Sequence, residues 1–517
     1  MTLGSKVVPR FRRLPVEGDV PEAGSDNPGD PVSQSLGKPT SAPVGAGADH
    51  KLSGSIGLGT LTFMVLAMAA PLTVAALSTP IGILVGNGPG YPAAYIAATV
   101  ILALFAVGFV AMTPHVGEAG AFYTYVTRGL GRGLGIGTGF LALVTYTANM
   151  FGILGFIGQA ISNLLVQYGL PAGKWWVWAA AVIALVGFLG HRRIDLSGKV
   201  LGLLLIAEVV VVVVVDAAVL VKDGPEGYSS GIVHVSAMTS GSPALALMFA
   251  IGAFVGFEST AIYRDEVRDP QRTIPRATYL ALALIGGFYT LTAWLMVTAW
   301  GDNGVVGRAA KDPSTMFIDT AQNFAGKVTA DVVVVLIVTS ALACVLSLHN
   351  VLARYYFNLG TTGVLPARLA QVHPRHGSPG FASNTQTVIS AVFVAICVVA
   401  GLDPVVQVAT WFGGIMAVGI VLLMLLTCCA VLVFFRRDRV GTRRWNTLVA
   451  PGLGALGLAL VLAIMIRNLP VLMGGSDVLG VVAGAALVLA VLGGVVLARL
   501  RPRAASPATD RSAESRA

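Results

Sequence analysis

The sequence predicts an all-α polytopic membrane protein with twelve transmembrane helices. Its 517 residues are 55% hydrophobic and 11% charged, with a mean hydropathy of +0.79, whereas soluble domains are about 25% charged. Apolar runs of about 20 residues, the length that crosses a bilayer, recur twelve times along the chain. The 34 Lys and Arg residues alternate in density between successive connecting segments, as they do in multi-pass proteins.

The twelve predicted spans fix the topology. They cover 56–85, 92–113, 136–165, 175–190, 199–221, 243–262, 276–300, 328–357, 384–401, 405–435, 447–467 and 477–498. The side that carries both tails holds 28 of the 34 basic residues, which by the positive-inside rule is the cytoplasmic side. We therefore expect a plasma-membrane protein with both termini in the cytoplasm. The net charge of +9 is explained by this asymmetry, so nucleic acid is not an expected partner.

Cysteine and histidine patterns indicate no metal or redox chemistry. All four cysteines fall inside apolar spans, where packing is the simplest role, and no pair has disulfide or zinc-site spacing. The chain also lacks a soluble catalytic domain and a His/Asp/Ser constellation. We expect no enzyme activity, no cofactor and no bound metal.

The first span contains a helix breaker near its centre, within Ala69-Ala70-Pro71-Leu72-Thr73. Proline lacks an amide donor and clashes with the preceding turn, so the helix should open here and free backbone groups. Freed groups in a membrane need a partner, which water, an ion or a ligand supplies where the break lines a cavity.

The sixth span is loosened in a similar way by Gly252 and Gly256, and then reaches the carboxylate Glu258. Glycine lowers helix propensity by about 1 kcal/mol relative to alanine, and a carboxylate in a span costs roughly 2.5–3.5 kcal/mol on insertion scales. Inverted-repeat transporters interrupt corresponding helices of their two halves. With five helices in each half, the first and sixth spans correspond, so a binding site is predicted between them near the bilayer midplane.

At these residues the chain resembles the amino acid–polyamine–organocation (APC) permeases. The similarity rests on Phe254-Val255-Gly256-Phe257-Glu258, on the following Asp269-Pro270 and Ile274-Pro275, and on Leu359-Gly360-Thr361-Thr362-Gly363-Val364-Leu365-Pro366. The resemblance implies a LeuT-like 5+5 inverted repeat with two additional C-terminal helices. It also implies a secondary transporter of amino acids that works by alternating access. An amine or polyamine carrier, or an amino acid/amine exchanger of the same fold, is the alternative.

This resemblance sets the expected domain organisation. Residues 1–50 are rich in Pro, Gly, Ser and Asp without a long apolar run, which is typical of a disordered tail. A ten-helix core is expected over 51–435, two accessory helices over 436–500 and a disordered cytoplasmic tail over 501–517. The accessory helices carry only flanking charges and would serve as a scaffold or as a homo-oligomer contact.

Candidate substrate-binding residues come from both breaks and from the third span. The breaks contribute the backbone around Ala70, Pro71, Leu72 and Thr73 and around Ile251, Gly252 and Ala253, with Phe254 as an aromatic lid; the third span adds Tyr146 and Asn149, one turn apart on a face. The Tyr146–Asn149 pair suits either substrate contact or interhelical hydrogen bonding. Glu258 would either bond the freed backbone of the sixth span or contact a cationic substrate group. The resembled family usually has a Gly-Ser-Gly turn in the first span that holds a substrate carboxylate, and the Ala-Pro sequence here has fewer free amides.

Glu208, deep in the apolar fifth span, is the candidate ion-coupling residue. An ionised carboxylate there is costly unless paired, so it is either a protonated structural acid or part of an ion relay. Proton-coupled members of the resembled family place a lysine at about this position. Ser347 and His349 at the end of the eighth span are candidates to help Glu208 bind a cation. The expected partners are thus a small amino acid or amine, a proton with sodium as the alternative, and the lipid bilayer.

Overall fold

The computed structural model describes residues 56–116, 122–192, 198–261, 263–264, 267–372, 378–438 and 443–501. The predicted N-terminal tail, the C-terminal tail beyond residue 501, and residues 265 and 266 of the charged loop after the sixth span lie outside these ranges. The regular structure within them is helical, apart from the isolated bridges Ile56 to Val267 and Pro225 to Gly227.

The described residues contain twelve apolar helices, so the predicted all-helical polytopic fold class is confirmed. Eleven are long and apolar enough to cross a membrane among the residues described, and the fourth is a shorter apolar helix. They are α1 (Leu58–Val85), α2 (Gly88–His115), α3 (Arg132–Gln167), α4 (Trp175–Arg192), α5 (Gly198–Lys222), α6 (Pro243–Ala261), α7 (Pro270–Trp300), α8 (Lys327–Thr361), α9 (Gly380–Val399), α10 (Pro404–Asp438), α11 (Trp445–Arg467) and α12 (Asp477–Leu500).

The start of α7 differs most from its prediction. The helix was expected to begin at 276, directly after Pro275, but it begins at Pro270 and carries Pro275 in its second turn. Proline fits the first helical position well because the amide it lacks has no helical partner there. Pro270 occupies that first position. Pro275 lies inside the helix, where the amide that proline lacks would have bonded to the Gln271 carbonyl, so α7 loses this one helical hydrogen bond.

Four pairs of helices join the two halves of the chain. Helix α1 packs against α6, α2 against α7, α3 against α8, and α4 against α9. The α3–α8 pair also matches in length, since α3 has 36 residues and α8 has 35. Each pair joins helices five positions apart, which is the arrangement of an inverted repeat about a central axis. The interrupted helices α1 and α6 thereby meet inside the bundle.

The last two helices lie outside this repeat. Helix α12 packs along α3, and α11 packs against α2 and α10. The α3–α12 contact is close because Gly137 and Gly494 face each other: a Cβ added at Gly494 would lie 2.6 Å from the Cα of Gly137. Small residues at such crossings let membrane helices approach. The accessory helices therefore cover one side of the ten-helix core.

Candidate functional site

A cavity of about 150 Å³ lies where the two interrupted helices face α3, α8 and α10. Its wall is mostly apolar, and the side chains that line it are all neutral. The polar ones are Thr73, Ser78, Asn149 and Thr410. Five of the residues predicted from the sequence line it: Ala70, Thr73, Asn149, Gly252 and Ala253.

Helix α1 opens one residue before Pro71. Ala70 adopts φ 47° and ψ 67°, the left-handed region, and separates the segment Leu58–Ala69 from the helical turn that starts at Pro71. The residue before a proline is disfavoured in the right-handed helical region, which explains the position of the break. The opening frees carbonyls: Ala69 O accepts from the Tyr289 hydroxyl at 3.0 Å, and Met68 O accepts from the Cys344 thiol at 3.6 Å. Side chains of α7 and α8 therefore hold this break.

Helix α6 opens at the predicted glycine. Its α-helical part, Pro243–Gly252, ends there, and a tight helical turn resumes over Phe257–Ala261. Between them Gly256 has φ 119°, a conformation that side-chain-bearing residues rarely adopt. The break therefore depends on glycine at position 256.

Glu258 closes the α6 break from inside the protein. This residue is fully buried, and its Oε2 accepts from the Gly256 backbone amide at 3.0 Å. Its Oε1 accepts from the Tyr146 hydroxyl of α3 at 2.6 Å. Of the two interpretations of Glu258, the structure displays the backbone contact. Tyr146 correspondingly makes an interhelical hydrogen bond and does not line the cavity.

Glu208 lies at the α1 break, next to the cavity but not in its wall. The side chain is 2% exposed, and its carboxyl group interacts with the Ser340 hydroxyl of α8 and the Leu72 backbone amide. Thr73 Oγ1 donates to Ser340 Oγ at 3.2 Å. Because Thr73 lines the cavity, one chain of hydrogen-bonding groups, Glu208, Ser340 and Thr73, connects the buried acid to the cavity wall.

Several predicted residues lie away from the cavity. Pro71, Leu72 and Ile251 pack behind its wall. Phe254, predicted as a lid, is fully buried among aromatic rings, with its ring centre 6.4 Å from that of Tyr95 and 6.0 Å from that of Tyr289. Gly252, Ala253 and Val255 line the cavity, whereas Phe254 does not.

The predicted group of Glu208, Ser347 and His349 is not brought together. His349 Nε2 forms a 2.8 Å hydrogen bond with Ser383 of α9 and packs against Gly190 of α4. The serine that meets Glu208 is Ser340, which precedes Ser347 by seven residues, or about 10 Å of helix. Two serines two turns apart on one helix cannot be told apart by sequence alone.

Asp216 of α5 was missed by sequence reasoning. It is 6% exposed and accepts a 2.8 Å hydrogen bond from Thr292 Oγ1 of α7. The signal was available, since this aspartate interrupts a run of valines within the fifth span. A carboxylate inside an apolar span is a functional candidate by default.

Comparison with known proteins decides the family. The family model described as amino acid permease matches residues 50–497. The chain belongs to the amino acid permease family. This permease is therefore a multi-pass membrane transporter of the APC superfamily and not an enzyme, as the sequence motifs predicted.

Relatives of the permease differ in the substrates that their names give. The low-affinity putrescine importer of Escherichia coli is 25% identical over 344 residues, which are 64% of this chain and 72% of the importer. The branched-chain amino acid permease of Lactococcus lactis is 21% identical over 310 residues, 56% of this chain and 64% of that permease. Amines and amino acids thus both occur among the named substrates of its relatives.

Proposed function

We propose that this permease is a proton-coupled secondary transporter of a small amine or amino acid, working by alternating access at the cavity between α1 and α6. The observation that carries the proposal is that both helices of the inverted-repeat pair open at the same cavity. Open backbone at Ala70 and at Gly252 gives a ligand polar contacts that an unbroken helix would keep for itself. Because the cavity is small, only a small substrate fits.

Glu208 is proposed as the coupling group. Its carboxyl group faces the amide of Leu72 at the break and reaches the cavity through Ser340 and Thr73. Proton binding cancels the charge of the Glu208 carboxylate. It therefore changes how strongly Glu208 interacts with the Leu72 amide, at the start of the part of α1 that follows the break. A ligand or proton that binds more strongly to the inward-facing or to the outward-facing state shifts the population toward that state.

The distribution of charge favours an amine as substrate. Among the residues described, the acids buried in the membrane helices are Glu208, Asp216 and Glu258, and no Lys or Arg is buried with them. The Leu72 amide at the α1 break already interacts with Glu208, so a substrate carboxylate would have to compete for it. An ammonium group meets no such competition and is attracted by nearby acids.

An amino acid remains the second candidate because two features suit it. Asn149 offers both a donor and an acceptor at the cavity wall, and the α6 break places the backbone of Gly252 and Ala253 there. The branched-chain amino acid permease among the relatives is consistent with the apolar part of the wall. The sequence motifs favour this class as well.

Uptake by the full-length protein in proteoliposomes tests the proposal. A panel pairs zwitterionic amino acids with the amines that result from their decarboxylation, under an inward proton gradient and, separately, under a sodium gradient. Amine uptake driven by protons is expected. Uptake of the amino acids alone would reject the amine assignment, and uptake driven by sodium alone would reject proton coupling. No saturable uptake of any member would contradict the proposed substrate classes.

The orientation and the cellular membrane are proposed from charge alone. The excess of basic residues on one side favours cytoplasmic termini in the plasma membrane. Labelling of single cysteines introduced near Gly227 and near Gly363 by an impermeant thiol reagent, in intact cells, tests this: label at 227 only is expected, and label at 363 only would reverse the orientation.

A further inference from the structure

Helix α5 carries a second buried acid that the proposed coupling does not use. Asp216 follows Glu208 by eight residues, which is about 12 Å along a helix axis. Val212, halfway between them, is fully buried and has no polar group. The two acids are therefore separate sites and not neighbours on one hydrogen-bonded chain.

Among the residues described, one hydroxyl group forms a hydrogen bond with Asp216. Thr292 of α7 donates to its Oδ2 at 2.8 Å, and Asp216 makes no ion pair in the part of the chain that is described. Several charged and titratable groups on the elements around Asp216 have partners elsewhere. Lys222 of α5 donates to the Phe324 carbonyl, and Tyr289 of α7 donates to the Ala69 carbonyl. Arg308 pairs with Asp319 of the helix Met316–Ala325, and Asp331 of α8 accepts from Gln167. Tyr289 and Cys344 lie near Glu208.

One neutral donor does not compensate for an ionised carboxylate inside a membrane helix. A carboxylate charge is costly within an apolar span, and the Thr292 hydroxyl supplies one hydrogen bond without an opposite charge. The packed arrangement of α5 and α7 therefore suits the neutral acid. Ionisation requires water, which in this arrangement requires α5 to separate from α7.

We propose that Asp216 is a second proton-binding site of this permease, and that its protonation holds α5 against α7. Proton binding converts the carboxylate to a carboxylic acid, and release returns the proton to water at the Lys222 end of α5, which is six residues away. Helix α7 also carries Tyr289, one turn before Thr292, and that tyrosine holds the α1 break through Ala69 O. The protonation of Asp216 thereby affects the cavity through α7 and not through Glu208. This consequence for transport rests on the proposed function.

The proton site itself is tested without transport. Infrared difference spectra of the full-length protein in lipid, recorded across a pH titration, show the carbonyl band of each acid as it becomes protonated. We expect one such band to be lost in Asp216→Asn and kept in Glu208→Gln. Asp216→Asn spectra that match the wild type at every pH overturn the proposal.

Thr292 variants separate proton binding from a purely structural role. Thr292→Val removes the donor but leaves the acid, so the Asp216 band should persist at a shifted frequency, and Thr292→Ser should restore its position. If Asp216→Asn does not fold, the Thr292 variants still decide, because an unshifted band in Thr292→Val overturns the proposal.

Uptake then tests the consequence for transport. Because Glu208 still binds and releases protons, uptake by Asp216→Asn should keep part of its pH dependence: over a pH step that changes wild-type uptake about tenfold, it should change by only about threefold. A wild-type pH profile in this variant rejects the link to transport. Failure of the proposed function is distinguishable, since it abolishes uptake of every substrate while leaving the infrared titration of Asp216 intact.

Discussion

The Tyr146 hydroxyl of α3 donates a 2.6 Å hydrogen bond to Oε1 of Glu258 inside the break of α6. The other oxygen of the same carboxyl group accepts from the Gly256 amide. Glu258 thus acts as a bridge between the irregular backbone of α6 and a neighbouring helix. A break that would otherwise expose unsatisfied amides is stabilised from within, and its geometry is tied to the position of α3.

Loss of the Tyr146 hydroxyl should therefore destabilise the protein. Tyr146→Phe leaves Oε1 of a fully buried Glu258 without its partner, and such a loss costs about 1–3 kcal/mol. Thermal unfolding in detergent should show a lower Tm. Tyr168→Phe, at the exposed residue directly after the same helix, is the matched control and should retain the wild-type Tm. Equal Tm values for the two variants would show that the bridge contributes nothing.

A side chain at Gly256 should strain the α6 break. Gly256→Ala places a Cβ at φ 119°, 3.1 Å from Met68 Cγ and 3.3 Å from the Ala69 amide nitrogen, and a residue held in a disallowed region costs about 1–3 kcal/mol. We expect a lower Tm and weaker substrate binding. Gly452→Ala in α11, where the added Cβ meets no atom within 4 Å, should leave both unchanged. Unaltered stability of Gly256→Ala would mean that the break adopts another backbone conformation.

The size of the side chain at Gly252 should control access to the cavity. An added Cβ meets only Ala417 Cβ, at 3.7 Å, so Gly252→Ala should still bind substrate. Gly252→Leu fills the cavity and should raise the Kd by at least about tenfold, measured by binding of a radiolabelled substrate from the uptake panel. Gly452→Leu, where an added Cβ meets no atom within 4 Å, serves as the control for added bulk. Wild-type affinity in Gly252→Leu would remove the site from this cavity.

Neutralisation of Glu208 should separate accumulation from exchange. Glu208→Gln preserves the shape of the side chain and its contacts with Ser340 and Leu72, but it cannot bind or release a proton. We expect substrate accumulation driven by a pH gradient to be lost, while exchange of labelled for unlabelled substrate continues. Proteoliposome uptake and counterflow measure the two separately. Undiminished accumulation in this variant would exclude Glu208 as the coupling residue.

Much of the fold could be predicted because the signals are local. Hydropathy marks each span within about 20 residues, and Pro71 and Gly252 mark the breaks by their own backbone chemistry. The cavity residues Ala70, Thr73, Gly252 and Ala253 followed from those breaks. The sequence also suggested that Glu208 matters, because an acid inside an apolar span is unusual wherever it packs.

What the sequence determined by itself is therefore the number and approximate positions of the membrane helices, the position of both helix breaks and the presence of acids within the spans. Only the tertiary structure decided which groups satisfy those acids. Glu258 meets Tyr146, Glu208 meets Ser340 instead of Ser347, and Asp216 meets Thr292. These partners lie 76 or more residues apart in the chain. The rotation and packing of the helices determine these partners, and neither can be recognised from the hydrophobic pattern of a single span.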